Sequence, residues 1–292
     1  MTRFRRKVSR FRCGPLLLWW LNDRGLALKG VRDMSDFTLT FLGTGTSLGI
    51  PMIGCDCEVC RSTDPRDNRT RASIYCETPE FAWGVDSGPD FRAQALRENI
   101  RRIDAMIYTH AHTDHVMGFD DLRPFCFGGK KLPVFASAET METIKRSFAF
   151  AFVDDPRSKG YLRPAPNVVE GPFQLGDTMV TPLPVPHGRV TTFGYLFTRG
   201  GRKLAAYLSD CKGVPQPVRE LIEGVEVLIL DALRHKEHGT HMNVDEALAV
   251  AEEMKSPLTL FTHLCHDLGH AEFERTLPSG VRIAYDGLKL HL

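Results

Sequence analysis

Long apolar runs are absent from this 292-residue sequence, and no stretch approaches the ~20 residues that a membrane-spanning helix requires. Internal repeats, low-complexity tracts and a recognisable interdomain linker are also absent, which favours one globular domain over a modular or fibrous chain. Neither sign of charge is in excess, because 37 basic and 36 acidic side chains give a formal net charge of +1. A hydrophobic content of 42% is enough for an ordinary buried core.

The basic charge is concentrated at the N-terminus. Residues 1–33 contain nine Lys or Arg and two Asp or Glu, whereas residues 34–292 carry a formal charge of −6. An acidic body is a poor general binder of polyanions, so we expect no stable nucleic-acid complex. The first 33 residues superficially resemble a signal peptide but lack a small-x-small cleavage site. We therefore interpret residues 1–33 as a basic leader that is disordered or dispensable, and residues 34–292 as one domain.

The eight cysteines do not follow the pattern of a disulfide framework. Cys55, Cys57 and Cys60 fall within six positions, a spacing that favours metal binding in a chain of this size. Structural zinc takes four tetrahedral ligands, so these three thiols require one more. Free thiols imply a reducing compartment, and we expect a cytoplasmic protein that does not associate with membranes.

Strands and helices alternate from Phe37 onward, which predicts an α/β fold. Strands are predicted over 37–43, 71–77, 81–86, 104–109, 132–136, 178–185, 192–198, 203–209, 226–231, 257–262 and 281–291, the last with a turn at Asp286-Gly287. Helices are predicted over 90–101, 138–150, 215–223 and 243–254, with Asn243 as the N-cap of the last. Many strands interleaved with few helices favour a sheet sandwich flanked by helices.

The strongest chemical signal is the string His110-Ala111-His112-Thr113-Asp114-His115, which directly follows an apolar strand. Alternate side chains of a strand share a face, so a His-x-His turn at its end directs two imidazoles the same way. Imidazole and carboxylate together suit zinc, manganese or iron. Three further candidates, His187, Asp210 and His263, each follow an apolar strand. Loops at such strand ends converge in layered α/β proteins, so we expect these residues to meet.

These residues resemble the pattern of the metallo-β-lactamase superfamily, and Asp86-Ser87-Gly88 resembles its Asp-x-Gly turn. The resemblance covers residues 37–292 and implies a hydrolase with an αββα sandwich of two mixed sheets flanked by helices. It also implies two divalent ions, zinc or manganese. By this resemblance His110, His112 and His187 hold one ion, Asp114, His115 and His263 hold the other, and Asp210 bridges both. Asp114 is also assigned a catalytic role.

A narrower resemblance is to the cyclic phosphodiesterase branch typified by phosphoribosyl cyclic phosphate diesterases. It is carried by 41–47, 49–51, 54–60, 187–195, 277–280 and 285–287. This branch implies His266 as the fourth ligand of a structural zinc with Cys55, Cys57 and Cys60, while Cys265 remains the alternative within the sequence.

The same resemblance singles out His241, in the segment Thr240-His241-Met242-Asn243, as a catalytic and substrate-binding histidine. Arg189 is a candidate phosphate contact. His235 and His238 lie in the same polar loop as His241 and are interpreted as surface histidines.

The resemblance implies hydrolysis of a small, cyclic ribose or nucleotide phosphodiester through a hydroxide shared by the two metals. Two alternatives remain open. A tRNA 3′-processing endonuclease shares the metal string but needs a projecting arm, and only 22 residues separate His187 from Asp210. A single-iron dioxygenase of the same fold would hold one metal rather than two. The expected partner is a small phosphodiester substrate, and a homodimer is left open.

Overall fold

The computed structural model describes residues 18–22, 25–29, 37–153 and 161–292. Their strands form two mixed β-sheets. The first contains nine strands, in the order β1-β2-β16-β3-β4-β5-β6-β7-β8. These are β1 (Leu18–Asn22), β2 (Gly25–Lys29), β3 (Thr38–Gly43), β4 (Ser73–Glu77), β5 (Ala82–Val85), β6 (Ala105–Ile107), β7 (Leu132–Ala136), β8 (Pro164–Val168) and β16 (Lys289–His291).

The second sheet contains seven strands, in the order β15-β14-β13-β12-β11-β10-β9. These are β9 (Phe173–Leu175), β10 (Thr178–His187), β11 (Val190–Arg199), β12 (Arg202–Leu208), β13 (Val227–Asp231), β14 (Leu258–Thr262) and β15 (Val281–Ile283). The α-helices are α1 (Phe91–Arg97), α2 (Thr113–Val116), α3 (Ala138–Ser147), α4 (Gln216–Ile222), α5 (Val244–Met254) and α6 (His270–Glu274). Shorter 3-10 segments cover Pro65–Asp67, Phe119–Gly129 and Ala149–Phe152. Within the described ranges, no helix is long and apolar enough to cross a membrane.

Alternation along the strands builds the four layers. On β13, Val227 and Ile229 face the other sheet, whereas Leu228 and Leu230 pack beneath α4 and α5. The first sheet behaves in the same way, since Met106 of β6 joins the core beneath α1 and α3 while its neighbours face the other sheet. Because successive side chains of a strand point to opposite faces, each sheet buries apolar residues on both of its faces. The predicted αββα sandwich of two mixed sheets flanked by helices is confirmed.

The predicted N-cap of α5 is present as a complete capping box. Asn243 accepts a hydrogen bond from the backbone N–H of Glu246 at 2.9 Å, and the Glu246 carboxylate accepts one from the N–H of Asn243 at 2.8 Å. These two bonds satisfy amide donors that helix geometry leaves free. They also anchor the end of the preceding loop, which carries His241.

The last predicted strand differs from expectation. Residues 281–291 do not form one element around a turn, because β15 pairs with β14 in the second sheet and β16 pairs with β3 in the first. The turn at Asp286-Gly287 carries the chain from one sheet to the other. β8 and β9 were not predicted, since β8 contains two prolines and β9 has only three residues.

Two strands, β1 and β2, lie within the leader. They form an antiparallel pair, and β2 pairs in parallel with β16 at Leu26–Leu290 and Ala27–His291. Residues 1–17, 23–24 and 30–36 lie outside the described residues. That the leader is dispensable stays a prediction. Its removal would expose the edge of β16 that pairs with β2.

Candidate metal centre

The candidate ligands gather at the carboxyl ends of neighbouring strands. His110 follows β6, His187 is the last residue of β10, and Asp210 and His263 follow β12 and β14. His112 caps the N-terminus of α2, whose residues include Asp114 and His115. The sandwich therefore brings together residues that are up to 153 positions apart in sequence.

Three imidazoles form the first half of the centre. His110 Nε2 lies 2.9 Å from His112 Nδ1, which lies 3.2 Å from His187 Nε2. The ligand atoms of these three histidines all lie within 4.8 Å of one another. Lone pairs directed at one another over these distances repel, and a cation between the three nitrogens would relieve that repulsion. The arrangement fits a divalent ion.

Carboxylates and imidazoles form the second half. His115 Nε2 lies 3.3 Å from Asp114 Oδ2 and 3.4 Å from Asp210 Oδ1, and His263 Nε2 lies 3.2 Å from Asp210 Oδ2. Asp210 thus presents its two oxygens to two different histidines, and it also lies within ligand distance of His110. Its position suits a carboxylate that is shared between two ions.

Several of these atoms are buried without a hydrogen-bond partner. Among the described residues they include His115 Nε2, Asp210 Oδ1 and both ring nitrogens of His263. A buried polar atom without a partner costs roughly 1–3 kcal/mol, so an unsatisfied cluster of this kind requires an explanation. A pair of bound cations would satisfy all but the outer nitrogen of His263.

The outer nitrogens of His110, His115 and His187 are held by neighbours. His115 Nδ1 lies 2.8 Å from Asp86 Oδ2, and His110 Nδ1 lies 2.9 Å from the hydroxyl of Thr109. His187 Nδ1 donates to the carbonyl oxygen of Thr240 at 3.0 Å, so its Nε2 keeps the lone pair that faces the cluster. Such outer partners fix the tautomer and the ring orientation of metal-binding histidines.

Electrostatics favour neutral His110 and His263 beside an ionised Asp210, whereas His115 is favoured as a cation. Burial lowers the pKa of His110 well below its ordinary value and that of His263 to about 4. Burial opposes ionisation of Asp210, but the neighbouring His115 and His263 hold its pKa well below the usual range. Burial also opposes charge on His115, yet Asp210 and Asp86 raise its pKa well above normal. The cluster as a whole attracts positive charge.

The backbone is strained at two of these positions. His263 and Asp86 adopt positive φ angles of 57° and 64°, a region that non-glycine residues rarely occupy. The chain around His263 is held by hydrogen bonds from Leu264 N to Thr44 O and from Cys265 N to Leu233 O. At the Asp-x-Gly turn, a Cβ on Gly88 would collide with the carbonyl oxygen of Asp114, which explains the glycine.

His241 lies beside the centre. Its ring stacks on His263, with centroids 4.6 Å apart and an interplanar angle of 11°, and meets His187 edge-on at 4.6 Å. Its Nδ1 lies 2.7 Å from Asp231 Oδ2, which also accepts a hydrogen bond from Cys211 N at 3.0 Å. Burial raises the pKa of Asp231 well above the ordinary value, so this pair retains a proton between Oδ2 and Nδ1.

Asp231 was missed by the sequence analysis. It is the last residue of β13, directly after four buried apolar residues. The rule that selected Asp210 and His263, a polar residue at the end of an apolar strand, applies equally to Asp231. Arg189 lies in the exposed two-residue turn that follows His187, between β10 and β11.

The cysteines form a separate cluster with His266. The Sγ atoms of Cys55, Cys57 and Cys60 lie 3.2, 3.5 and 3.6 Å from His266 Nδ1. Zinc bonds of about 2.3 Å to sulfur and 2.0–2.1 Å to nitrogen, at a tetrahedral angle, would separate S and N by about 3.5 Å. The spacing therefore fits a four-coordinate ion. The sulfur of Cys265, the alternative ligand, instead accepts a hydrogen bond from Asp267 N at 3.4 Å.

The amide of Cys60 donates to Cys57 Sγ at 3.4 Å, and this bond lowers the pKa of Cys57 to about 7. A lowered thiol pKa favours the thiolate, the form that binds metals. Behind the cluster, the fully buried Arg69 donates to the carbonyl oxygens of Cys265 and Leu268 at 3.2 and 2.7 Å. The loop after His263 is thus held from both sides.

Comparisons with known proteins identify the family to which this fold belongs. A family model described as a beta-lactamase superfamily domain matches residues 84–264, which is more than half of the chain. The chain therefore belongs to the beta-lactamase superfamily. It is a metal-binding hydrolase with the metallo-β-lactamase fold.

The individual proteins that this chain resembles are described by different activities. A crystal structure of a new diphosphatase from the PhnP family superposes with a TM-score of 0.80 and 42% identity, covering 87% of this chain and 96% of that one. An octanoyltransferase of Porphyromonas gingivalis is 35% identical over 252 residues, which are 85% of this chain but 50% of that protein. The chain thus spans about half the length of that relative. A coenzyme PQQ synthesis protein B of Methylobacterium radiotolerans is 28% identical over 66% of this chain and 72% of that protein.

Proposed function

We propose that this protein is a phosphodiesterase with two divalent ions, zinc or manganese, that hydrolyses a small, cyclic ribose or nucleotide phosphodiester. His110, His112 and His187 hold one ion, Asp114, His115 and His263 hold the other, and Asp210 bridges them. A third ion, a structural zinc, is bound by Cys55, Cys57, Cys60 and His266. Asp114 also acts in catalysis, since its carboxylate faces the same cluster as His115.

The observation that carries the proposal is the convergence of buried ligand atoms. Ring nitrogens and carboxylate oxygens approach one another at 2.9–3.4 Å. Asp210 contacts His115 and His263 of the second half and also lies within 4.8 Å of ligand atoms on His110 and His187 of the first half. Two ions in such a site would act as Lewis acids toward a phosphoryl oxygen and would lower the pKa of bound water.

His241 and Asp231 supply the proton for the leaving group. With one proton held between Asp231 Oδ2 and His241 Nδ1, the second proton of the pair lies on Nε2 of His241. An alkoxide leaves readily only when it is protonated, and Nε2 is the atom that donates to it. As the Nε2 proton leaves, the shared proton moves fully onto Nδ1, and Asp231 becomes a carboxylate. Arg189, exposed in the turn after His187, contacts the phosphate.

The chain between His187 and Asp210 argues against tRNA processing. Within these described residues, β10, β11 and β12 are joined by two-residue turns at 188–189 and 200–201. An arm that could grip tRNA has no place there. The net charge of −6 over residues 34–292 also disfavours a polyanionic macromolecule.

A second candidate substrate is a diphosphate ester, because the relative with 42% identity is described as a diphosphatase. Cleavage of a phosphoanhydride expels a phosphate, which is a better leaving group than an alkoxide. Such a substrate would depend less on His241, so the two substrate classes can be separated with one variant.

The test is the His241→Ala variant, assayed on a ribose cyclic phosphodiester, a diphosphate ester and a nitrophenyl phosphodiester. Turnover of the ribose substrate should fall ~10²–10⁴-fold, the usual contribution of a positioned acid, while metal content stays unchanged. The loss should be much smaller with nitrophenolate, which needs little protonation. Equal losses on the two diesters would refute acid catalysis, and lost metal would make His241 a ligand. Elemental analysis of the wild type should give three ions per chain, whereas a single iron would favour a dioxygenase.

A further inference from the structure

Two histidines of the loop before α5 have different surroundings. His235 is exposed and meets the ring of Phe273 edge-on, with centroids 5.5 Å apart. His238 is half-buried, and its ring lies 5.1 Å from that of His241. The interpretation of both as surface histidines therefore fits His235 better than His238, which borders the proposed proton donor.

Hydrogen bonding defines the orientation of His238. The backbone N–H of Thr240 donates to His238 Nδ1 at 3.3 Å. An amide nitrogen is only a donor, so Nδ1 must be the acceptor, and the ring proton lies on Nε2. Burial lowers the pKa of His238, and the nearby His241 and Arg234 lower it further, which keeps the ring neutral. His238 is thus a donor at Nε2 alone.

Thr240 also links His238 to the metal centre. Its carbonyl oxygen accepts from His187 Nδ1 at 3.0 Å, and its methyl group lies against Gly188. The same residue therefore sets the ring orientations of a candidate metal ligand and of His238. A donor held in this way, next to His241, is positioned for a defined acceptor.

We propose that His238 is a substrate-binding residue whose Nε2–H donates a hydrogen bond to an oxygen of the leaving half of the phosphodiester. This inference rests on the proposed function. The ring of His238 lies 5.1 Å from that of His241, so a leaving group protonated by His241 Nε2 is within reach of His238. Two imidazoles side by side can contact oxygens on neighbouring carbon atoms, as in a sugar or another polyol. His238 accordingly selects substrates whose leaving group carries a second hydroxyl or ether oxygen.

The experiment compares His238→Phe with His235→Phe, the same change in the same loop. The substrates are a ribose cyclic phosphodiester and bis(4-nitrophenyl) phosphate, which carries no hydroxyl. For His238→Phe, KM on the ribose substrate should rise about three- to tenfold with little change in kcat, as expected for loss of one neutral hydrogen bond. KM on the nitrophenyl diester should not change. His235→Phe should match the wild type on both, and His238→Gln, which keeps a donor, should recover much of the loss.

The outcomes distinguish failure of the proposed function from failure of the role assigned to His238. A wild-type protein that hydrolyses neither diester overturns the proposed function, and this inference with it. A wild-type protein that hydrolyses both, with His238→Phe unchanged or equally impaired on the two substrates, overturns this inference alone. Metal content and thermal unfolding identify a variant that is merely misfolded, in which case His238→Ala replaces His238→Phe in the same comparison.

Discussion

Replacing Cys57 with serine should lower stability through one lost metal ion. Cys57 Sγ lies 3.5 Å from His266 Nδ1, and its loss would open the tetrahedron that we assign to a structural zinc. An ion present at 100 times its dissociation constant stabilises the folded state by about 2.7 kcal/mol. One kcal/mol corresponds to roughly 2–4 °C for domains of 150–250 residues, so Tm should fall by at least about 5–10 °C.

The loss should affect catalysis less than stability. His266 is three residues from His263, whose backbone has a positive φ of 57°, so an ion in the cysteine cluster would stabilise the loop that carries this proposed catalytic ligand. Arg69 holds the same loop from its other side, through the carbonyl oxygens of Cys265 and Leu268. The folded fraction of Cys57→Ser should therefore keep its catalytic ions and most of its kcat.

Calorimetry with and without chelator, together with elemental analysis, measures both effects. Cys265→Ser is the matched control, since this thiol neighbours His266 but directs its sulfur to Asp267 N. The control should retain three ions and nearly the wild-type Tm. Cys57→Ser should retain two ions. Three ions and an unchanged Tm in Cys57→Ser would refute the assignment of the site.

Three further predictions concern the catalytic centre and the leader. Asp210→Ala should lose at least one ion and nearly all activity, whereas the same change at the exposed Asp177 should lose neither. Full metal content with normal turnover in Asp210→Ala would refute the bridging assignment. Asp231→Asn should keep its metals but lose up to ~10²–10⁴-fold in turnover of the ribose substrate, because an amide cannot hold the proton shared with His241. Unchanged rates would argue against a catalytic role of the His241–Asp231 pair. A 34–292 protein should fold and keep its activity, since among the described residues its sheet loses only the pairing of β2 with β16. Failure of this protein to fold would show that the leader is structural.

Much of the centre was predictable because its ligands follow local rules. His110, His112, Asp114 and His115 are close in sequence, so one strand end and one turn of helix bring them together. His187, Asp210 and His263 were found by their places after apolar strands. Asp231 satisfied the same rule and was still missed, because its role depends on contact with His241, which only the tertiary structure shows.

The sequence by itself determined the layers and the types of side chain at the candidate metal sites. Apolar alternation with a period of two predicted the strands, and the histidine and cysteine spacings predicted two kinds of metal site. Only the tertiary structure decided which side chains meet. In the folded chain, residues 281–291 are divided between two sheets. His266 rather than Cys265 faces the thiols, and His241 pairs with Asp231. These outcomes depend on where strands that are distant in sequence end relative to one another, which no local pattern encodes because register is set by packing across the whole sheet.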